Sequence, residues 1–274
     1  MKTSSQKGER QYSLIMSSID HYENFPVASW LCPARLRPAV QAIYYFARTA
    51  DDIADEGHEP AHRRLDNLGE YRADLENCFN QTGATSMRWP RIFGPLRQAI
   101  RTHQLPALPM FDLLDAFEQD VVFTRVGQGY KDRATLLEYC RRSANPVGRL
   151  MLHLYGVNDD TALAQSDAIC TALQLINFWQ DRAEDLRRDR DYLPEGHQLE
   201  DELRFARALM VQGAPLVHSI QGRAGWELRA MVQGGLRILD KLEQRPAAIN
   251  HQLLTRPTLG KADLVRIAWR CLRM

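Results

Sequence analysis

Over long stretches of this 274-residue chain the apolar residues recur at i, i+3 and i+4, while the period-two alternation of a half-buried strand is scarce. Prolines and glycines gather between these stretches rather than inside them, where they act as stops. The pattern predicts helices near residues 35–55, 61–79, 89–104, 109–125, 133–155, 160–187, 200–221, 225–244 and 261–272. The connecting loops are short, GQG at 127–129 among them, and no repeat at solenoid spacing is visible. The expected fold class is all-α: a polar N-terminal tail over residues 1–20, then a single helical domain over 21–274.

Composition removes several function classes. Apolar residues make up 45% and charged residues 25%, ordinary for a soluble globular chain. A net charge of +1 creates no overall field for nucleic acid, so no nucleic-acid partner is expected. Cys32, Cys78, Cys140, Cys170 and Cys271 are scattered without a C-x-x-C pair, which argues against a disulfide framework or a thiolate zinc site and for a reducing compartment. The opening MKTSSQKGERQYS lacks the apolar core of a secretory signal, and no apolar run reaches the roughly 18–20 residues of a membrane span. A cytoplasmic location is the expectation. The usual glycine loops for nucleotides are missing as well.

Two acidic clusters interrupt the helical pattern. The stretch IYYFARTADDIADE, residues 43–56, ends in four carboxylates within six residues. Asp51 and Asp55 are four apart and share a helix face, Asp52 and Glu56 form the neighbouring pair, and Tyr44 and Arg48 precede them at helical spacing. Like charges at i,i+4 cost a helix roughly 0.2–0.5 kcal/mol per pair. Either a solvated helix end or a cation offsets that cost. In the second cluster, Gln174, Asn177, Asp181 and Asp185 form a polar stripe on a helix whose other positions, Leu173, Leu175, Ile176, Phe178 and Trp179, are apolar. A stripe of amides and carboxylates on a buried helix is costly without partners. Two such stripes in one helical domain suggest facing walls of a cavity. Hard oxygen ligands select Mg²⁺ or Mn²⁺, which keep waters and take further ligands from a substrate phosphate. Arg48, Arg182, Arg187, Arg188 and Arg190 lie beside the stripes and suit the same phosphates. The chemistry this points to is departure of a diphosphate from an allylic carbon, into an apolar, aromatic-lined cavity whose ring faces stabilise the cation.

The pair DDIAD and NFWQDRAEDLRRDRDYLP resembles the two aspartate-rich regions of the squalene and phytoene synthases, the head-to-head prenyl synthases, and the likeness runs from His21 to the basic end KADLVRIAWRCLRM. The stretch HYENFPVASWLCPARLRPAVQAIYYFARTADDIADEG, HYENFPVAS above all, is similar to the bacterial hydroxysqualene synthase branch. The resemblance implies an isoprenoid-synthase-type bundle around a central cavity, with Mg²⁺ as cofactor and no NADPH. It assigns Asp51 and Asp55 to the first metal motif, with Asp52 inside it, and Asn177, Asp181 and Asp185 to the second. It gives Arg48 a grip on diphosphate, makes Tyr44 and Gln174 cavity positions, and places Arg190 and Tyr192 at the end of the second motif, with Tyr139 near the reacting carbons. His21 and Asn24 fall in a diphosphate-contacting region of relatives, although the side chains differ there. Gln180 departs from the arginine that many relatives carry, a loss for which Arg182 is the nearest compensation.

The implied reaction converts presqualene diphosphate and water to hydroxysqualene and diphosphate, with a presqualene diphosphate synthase as the coupled partner. The alternative is a presqualene diphosphate, squalene or phytoene synthase that condenses two prenyl diphosphates. Bland readings stand beside these. Of Tyr44, Tyr45 and Phe46, one or two at most can face a cavity. Phe25, Phe123, Phe178 and Trp179 read as core, and His153, His218 and His251 as structural or exposed. On the last helix Arg266, Arg270 and Arg273 share a face. That helix either lies on an anionic membrane at its inner face, or packs on the bundle and sends an arginine to the diphosphate.

Overall fold

A computed structural model describes residues 31–80, 86–188, 190–245 and 256–274, and among them every regular element is a helix. In chain order these are α1 (Arg37–Asp55), α2 (Ala61–Asn80), α3 (Pro90–His103), α4 (Leu108–Val126), α5 (Arg133–Ser143), α6 (Asn145–Tyr155), α7 (Asp160–Arg187), α8 (Leu199–Gly213), a 3₁₀ turn (Ala214–His218), α9 (Gly222–Glu243) and α10 (Lys261–Cys271). The all-α expectation is met. His21, Asn24, Phe25 and His251 lie outside the described residues.

Local chemistry sets the ends. Asp132 caps α5 by accepting from Thr135 N at 2.8 Å, and Asp159 caps α7 by accepting from Ala162 N at 2.9 Å. The segment 133–155, expected as one helix, is two. Pro146 lacks an N–H and restricts the residue before it, so α5 ends at Ser143 and α6 starts with proline in its first turn. Pro215 acts similarly after α8, where the expected helix to 221 gives way to the 3₁₀ turn.

Two apolar clusters form the interior. Ala39, Ala42, Ile43, Phe46, Ala50 and Ala54 put one face of α1 against α3 and α4, with Tyr71 stacked on Phe46 and Phe93 edge-on to it. The second cluster is built on α7, whose buried residues run from Ala162 to Gln180, and on α8 and α9. Two glycines permit close approaches onto α7. A Cβ on Gly148 of α6 would lie 2.4 Å from Ser166 Oγ, and one on Gly213 would lie 2.5 Å from the backbone carbonyl of Gln165. A long cavity of about 500 Å³ takes its walls from both clusters, with Ile43 and Leu113 on one side and Leu152, Ile169 and Leu173 on the other.

Candidate functional site

Along α1 the cavity lining reads Val40, Ile43, Tyr44, Ala47, Arg48, Asp51; along α7 it reads Ser166, Ile169, Cys170, Leu173, Gln174, Asn177. Both series go from apolar to polar toward the helix C-terminus. The two C-termini meet, because Arg190, just beyond α7, is ion-paired with Asp55, the last residue of α1, and also donates to Thr124 of α4 at 3.1 Å. The negative ends of two helix dipoles and five aspartates, Asp51, Asp52, Asp55, Asp181 and Asp185, are thus gathered at one end of an apolar chamber. Such a place requires cations.

In this structure arginines supply them. Arg48 reaches Asp51 at 3.3 Å, Asp52 at 2.8 Å and Glu56 at 2.8 Å. Arg190 and, at 3.8 Å, Arg188 face Asp55. Arg256, from the segment ahead of α10, lays its guanidinium across both oxygens of Asp181. Because the carboxylates are turned to these arginines, no three His, Cys, Asp or Glu side chains among the described residues converge on one metal-sized point.

The donor set nevertheless fits a hard divalent cation. Asn177 Oδ1 is buried on the cavity wall with no hydrogen-bond partner among the described residues, a cost that a cation or a donor would remove. Asp185 is pushed up to about 7 by burial and by Asp181, against the pull of Arg190 and Arg188. The two arginines do not offset the burial and the neighbouring carboxylate. Carboxylate and amide oxygens suit Mg²⁺ or Mn²⁺ rather than zinc.

Of the residues singled out in the sequence, Tyr44, Arg48, Asp51, Gln174, Asn177 and Tyr139 line the cavity. Asp52, Asp55, Asp181, Asp185 and Arg190 stand at or beyond its polar end without lining it. Tyr192 lies behind Tyr139, stacked on Phe178 with ring centroids 3.8 Å apart. Phe46 is core, so the aromatic triplet of α1 divides as helix geometry requires. Arg182, the nearest arginine to the position at 180, is turned elsewhere. It is held by Asp191 at 3.2 Å, away from the lining. Arg187 pairs with Glu184 on its own helix. His153 Nε2 is bonded to the His103 carbonyl at 2.9 Å, and His218 is exposed. None of Arg266, Arg270 and Arg273 lines the cavity: Arg270 reaches Asp240 at 3.3 Å, and Arg273 covers the Trp269 ring.

Two residues of the site escaped the sequence reading. Asp120, on α4, accepts the Tyr139 hydroxyl at 2.6 Å, and burial pushes its carboxyl up to about 7. A signal existed, since Leu113, Ala116, Phe117 and Asp120 share an i, i+3, i+4, i+7 face, and a lone carboxylate on an apolar face marks a specific partner. Arg256 had none: it belongs to a non-helical stretch and its partner is 75 residues away.

A sequence model of squalene/phytoene synthases matches residues 20–201. The chain is 40% identical over 173 residues to the hydroxysqualene synthase of Rhodopseudomonas palustris, covering 63% of this chain and 55% of that protein. It is 39% identical over 175 residues to the hydroxysqualene synthase of Zymomonas mobilis, covering 63% and 54%. The chain thus spans about half the length of these curated relatives. The crystal structure of the squalene synthase HpnC from Alicyclobacillus acidocaldarius is 31% identical, with a TM-score of 0.72 over 88% of this chain and 95% of that one.

Proposed function

The chain belongs to the squalene/phytoene synthase family, and from that premise we propose that it is a hydroxysqualene synthase, which converts presqualene diphosphate and water to hydroxysqualene and diphosphate. One observation carries the reading: Tyr44, Arg48 and Asp51 of α1 meet Gln174 and Asn177 of α7 at the polar end of a single apolar chamber. Likeness to two hydroxysqualene synthases narrows the choice within the family.

Asp51, Asp55, Asn177, Asp181 and Asp185 would hold Mg²⁺ or Mn²⁺, whose chemistry when bound is to make diphosphate a good leaving group. Arg48 binds the diphosphate by charge-assisted hydrogen bonds and follows it as the carbon–oxygen bond breaks heterolytically. The chamber holds the cyclopropylcarbinyl cation while it rearranges to an allylic cation. Val40, Ile43, Leu113, Leu173 and Met231 exclude bulk water, and the ring faces of Tyr44, Phe117 and Tyr139 offer negative potential. The oxygen of one admitted water forms the new carbon–oxygen bond and releases a proton. The balance needs no reductant, so NADPH has no part in it.

The partners of this reading are a prenyl diphosphate, a presqualene diphosphate synthase that supplies it, and a membrane surface. No helix among the described residues is long and apolar enough to cross a membrane. On α10, however, Leu264, Val265, Trp269 and Leu272 are exposed opposite the buried Asp263, Ile267 and Cys271, with Arg266 and Arg273 beside them. Val265, Trp269 and Leu272, at i, i+4 and i+7 and flanked by arginine, suit the interface of an anionic bilayer, where substrate and product dissolve.

Product analysis decides. Purified protein with Mg²⁺ and presqualene diphosphate is expected to yield hydroxysqualene, and with farnesyl diphosphate alone no C30 product. A C30 product from farnesyl diphosphate alone would assign the condensing reaction instead.

A further inference from the structure

The residue before Asp181 is polar but stands apart from the cavity stripe. Gln180 is 4% exposed, does not line the chamber, and its Nε2 donates to the Pro257 carbonyl at 2.6 Å. Its neighbour Asp181 receives the guanidinium of Arg256. Two consecutive residues of α7 therefore hold two consecutive residues of the non-helical stretch that leads into α10. The register is stiff for three reasons. Proline confines its own φ, and it confines the backbone of the residue before it, here Arg256. A neutral amide donor buried beside a carbonyl has no water to exchange with, so the bond persists. Further along, Lys241 Nζ donates to the Thr258 carbonyl at 2.6 Å and Gly260 N to Asp263 Oδ2 at 2.8 Å, which pins the other end.

We propose that Gln180 is a positioning residue: by holding the Pro257 carbonyl it fixes Arg256 at the carboxylate end of the chamber as a ligand for the substrate diphosphate. The inference rests on the reading of this end as a diphosphate site. Arg256 neutralises Asp181 here. Were Asp181 to hold a divalent ion, Arg256 would give up that carboxylate, and its guanidinium, tethered through Pro257, would stay within reach of a diphosphate bound at this end. A free arginine at the start of a flexible stretch would lose far more side-chain and backbone entropy on making the same contact.

The test is a double-mutant cycle on Gln180→Met, which keeps the side-chain length and removes the donor, and Arg256→Ala. The readouts are calorimetric binding of inorganic diphosphate with Mg²⁺, and KM against kcat on presqualene diphosphate. Gln180→Met is expected to weaken diphosphate binding about tenfold and to raise KM more than it lowers kcat, and Arg256→Ala to do at least as much. The double variant is expected to bind no more weakly than Arg256→Ala alone. If Gln180→Met does not fold, Gln180→Asn, one methylene short of the carbonyl, must show the same direction. Wild-type affinity in the folded Gln180 variant overturns the proposal, as does an undiminished Gln180 effect in the Arg256→Ala background. A wild-type protein that binds no magnesium diphosphate overturns the diphosphate reading itself.

Discussion

The hydroxyl of Tyr139 donates to Asp120 Oδ2 at 2.6 Å, joining a cavity-lining phenol to a carboxylate that lies behind it among the site's charges. Burial is the largest cause that pushes Asp120 up to about 7, and Asp51 and Asp55 push the same way, against Tyr139 and Arg190. A raised carboxyl favours the folded state fully below its unfolded value of 3.8, and that contribution is lost as pH rises through about 7. Metal-free protein is therefore expected to lose stability between about pH 4 and 7. Asp120→Asn should flatten that decline by roughly 2–4 kcal/mol, read from urea midpoints across the window. Turnover should also fall by more than about tenfold, because a neutral amide offers the Tyr139 hydroxyl one acceptor oxygen where the carboxylate offered two charged ones, and so orients it less firmly. A pH–stability slope unchanged in Asp120→Asn would disprove the assignment.

Asp185 is also pushed up to about 7, with Asp181 second to burial among the causes. A metal ligand must be deprotonated, so binding of Mg²⁺ or Mn²⁺ at neutral pH should expel its proton. The expected outcome is proton release on metal titration at pH 6 to 7 that vanishes near pH 8.5, with apparent metal affinity rising through that range. Asp185→Asn should abolish the proton release. Asp51→Asn and Asp181→Asn are expected to lower turnover by at least about a hundredfold while the far-ultraviolet circular dichroism keeps its helical form. Full activity in either variant would remove it from the metal site.

The parts of this site that sequence could show are those written in the helical period. Both α1, expected at 35–55, and α7, expected at 160–187, were legible because each has an apolar face and a polar stripe three and four residues apart. Their facing arrangement follows from the cost of burying such stripes without a partner. The break at Ala144 had a signal, Pro146, which suits the first turn of a new helix, but the apolar pattern running unbroken from α5 into α6 masked it. Which cation sits on which carboxylate was beyond reach. Arg190 with Asp55 and Arg256 with Asp181 are 135 and 75 residues apart, and one comes from a stretch with no period. Gln180 appeared as a departure from the family pattern; only its hydrogen bond to Pro257 gives it a structural task.

The exposed stripe of α10 yields a separate prediction. Leu264, Val265, Trp269 and Leu272 are 57%, 72%, 52% and 71% exposed, and few soluble surfaces hold so many large apolar groups on one short helix. Co-sedimentation with vesicles rich in phosphatidylglycerol is expected, weaker with pure phosphatidylcholine and weakened by salt. Trp269 fluorescence should shift to the blue on binding. Replacing the four residues by serine should abolish co-sedimentation and leave turnover of detergent-dispersed substrate within about twofold. Retained binding in the serine variant would place the membrane contact elsewhere.

Glu202 makes the last prediction, on stability alone. Its side chain is fully buried at the start of α8, where Arg133 from α5 holds it through Nη2 at 2.7 Å and Nε at 3.1 Å, and His197 Nδ1 lies 2.7 Å away. The Arg133 guanidinium also lies over the Phe205 ring at 4.4 Å. These contacts tie α5, which carries Tyr139, to the turn that precedes α8. A buried carboxylate is tolerated because its charge-assisted bonds replace the lost hydration, and breaking such a pair from one side is costly. Arg133 is 32% exposed, so water rescues part of its charge, and the loss falls below that of a fully buried pair. Glu202→Ala is expected to cost about 2–4 kcal/mol, lowering the thermal midpoint by several degrees for a chain of this size. Glu202→Gln keeps the shape and one acceptor and should cost less, about 1–2 kcal/mol. Equal losses in the two variants would mean that packing, rather than the charged bond to Arg133, holds α8 to α5.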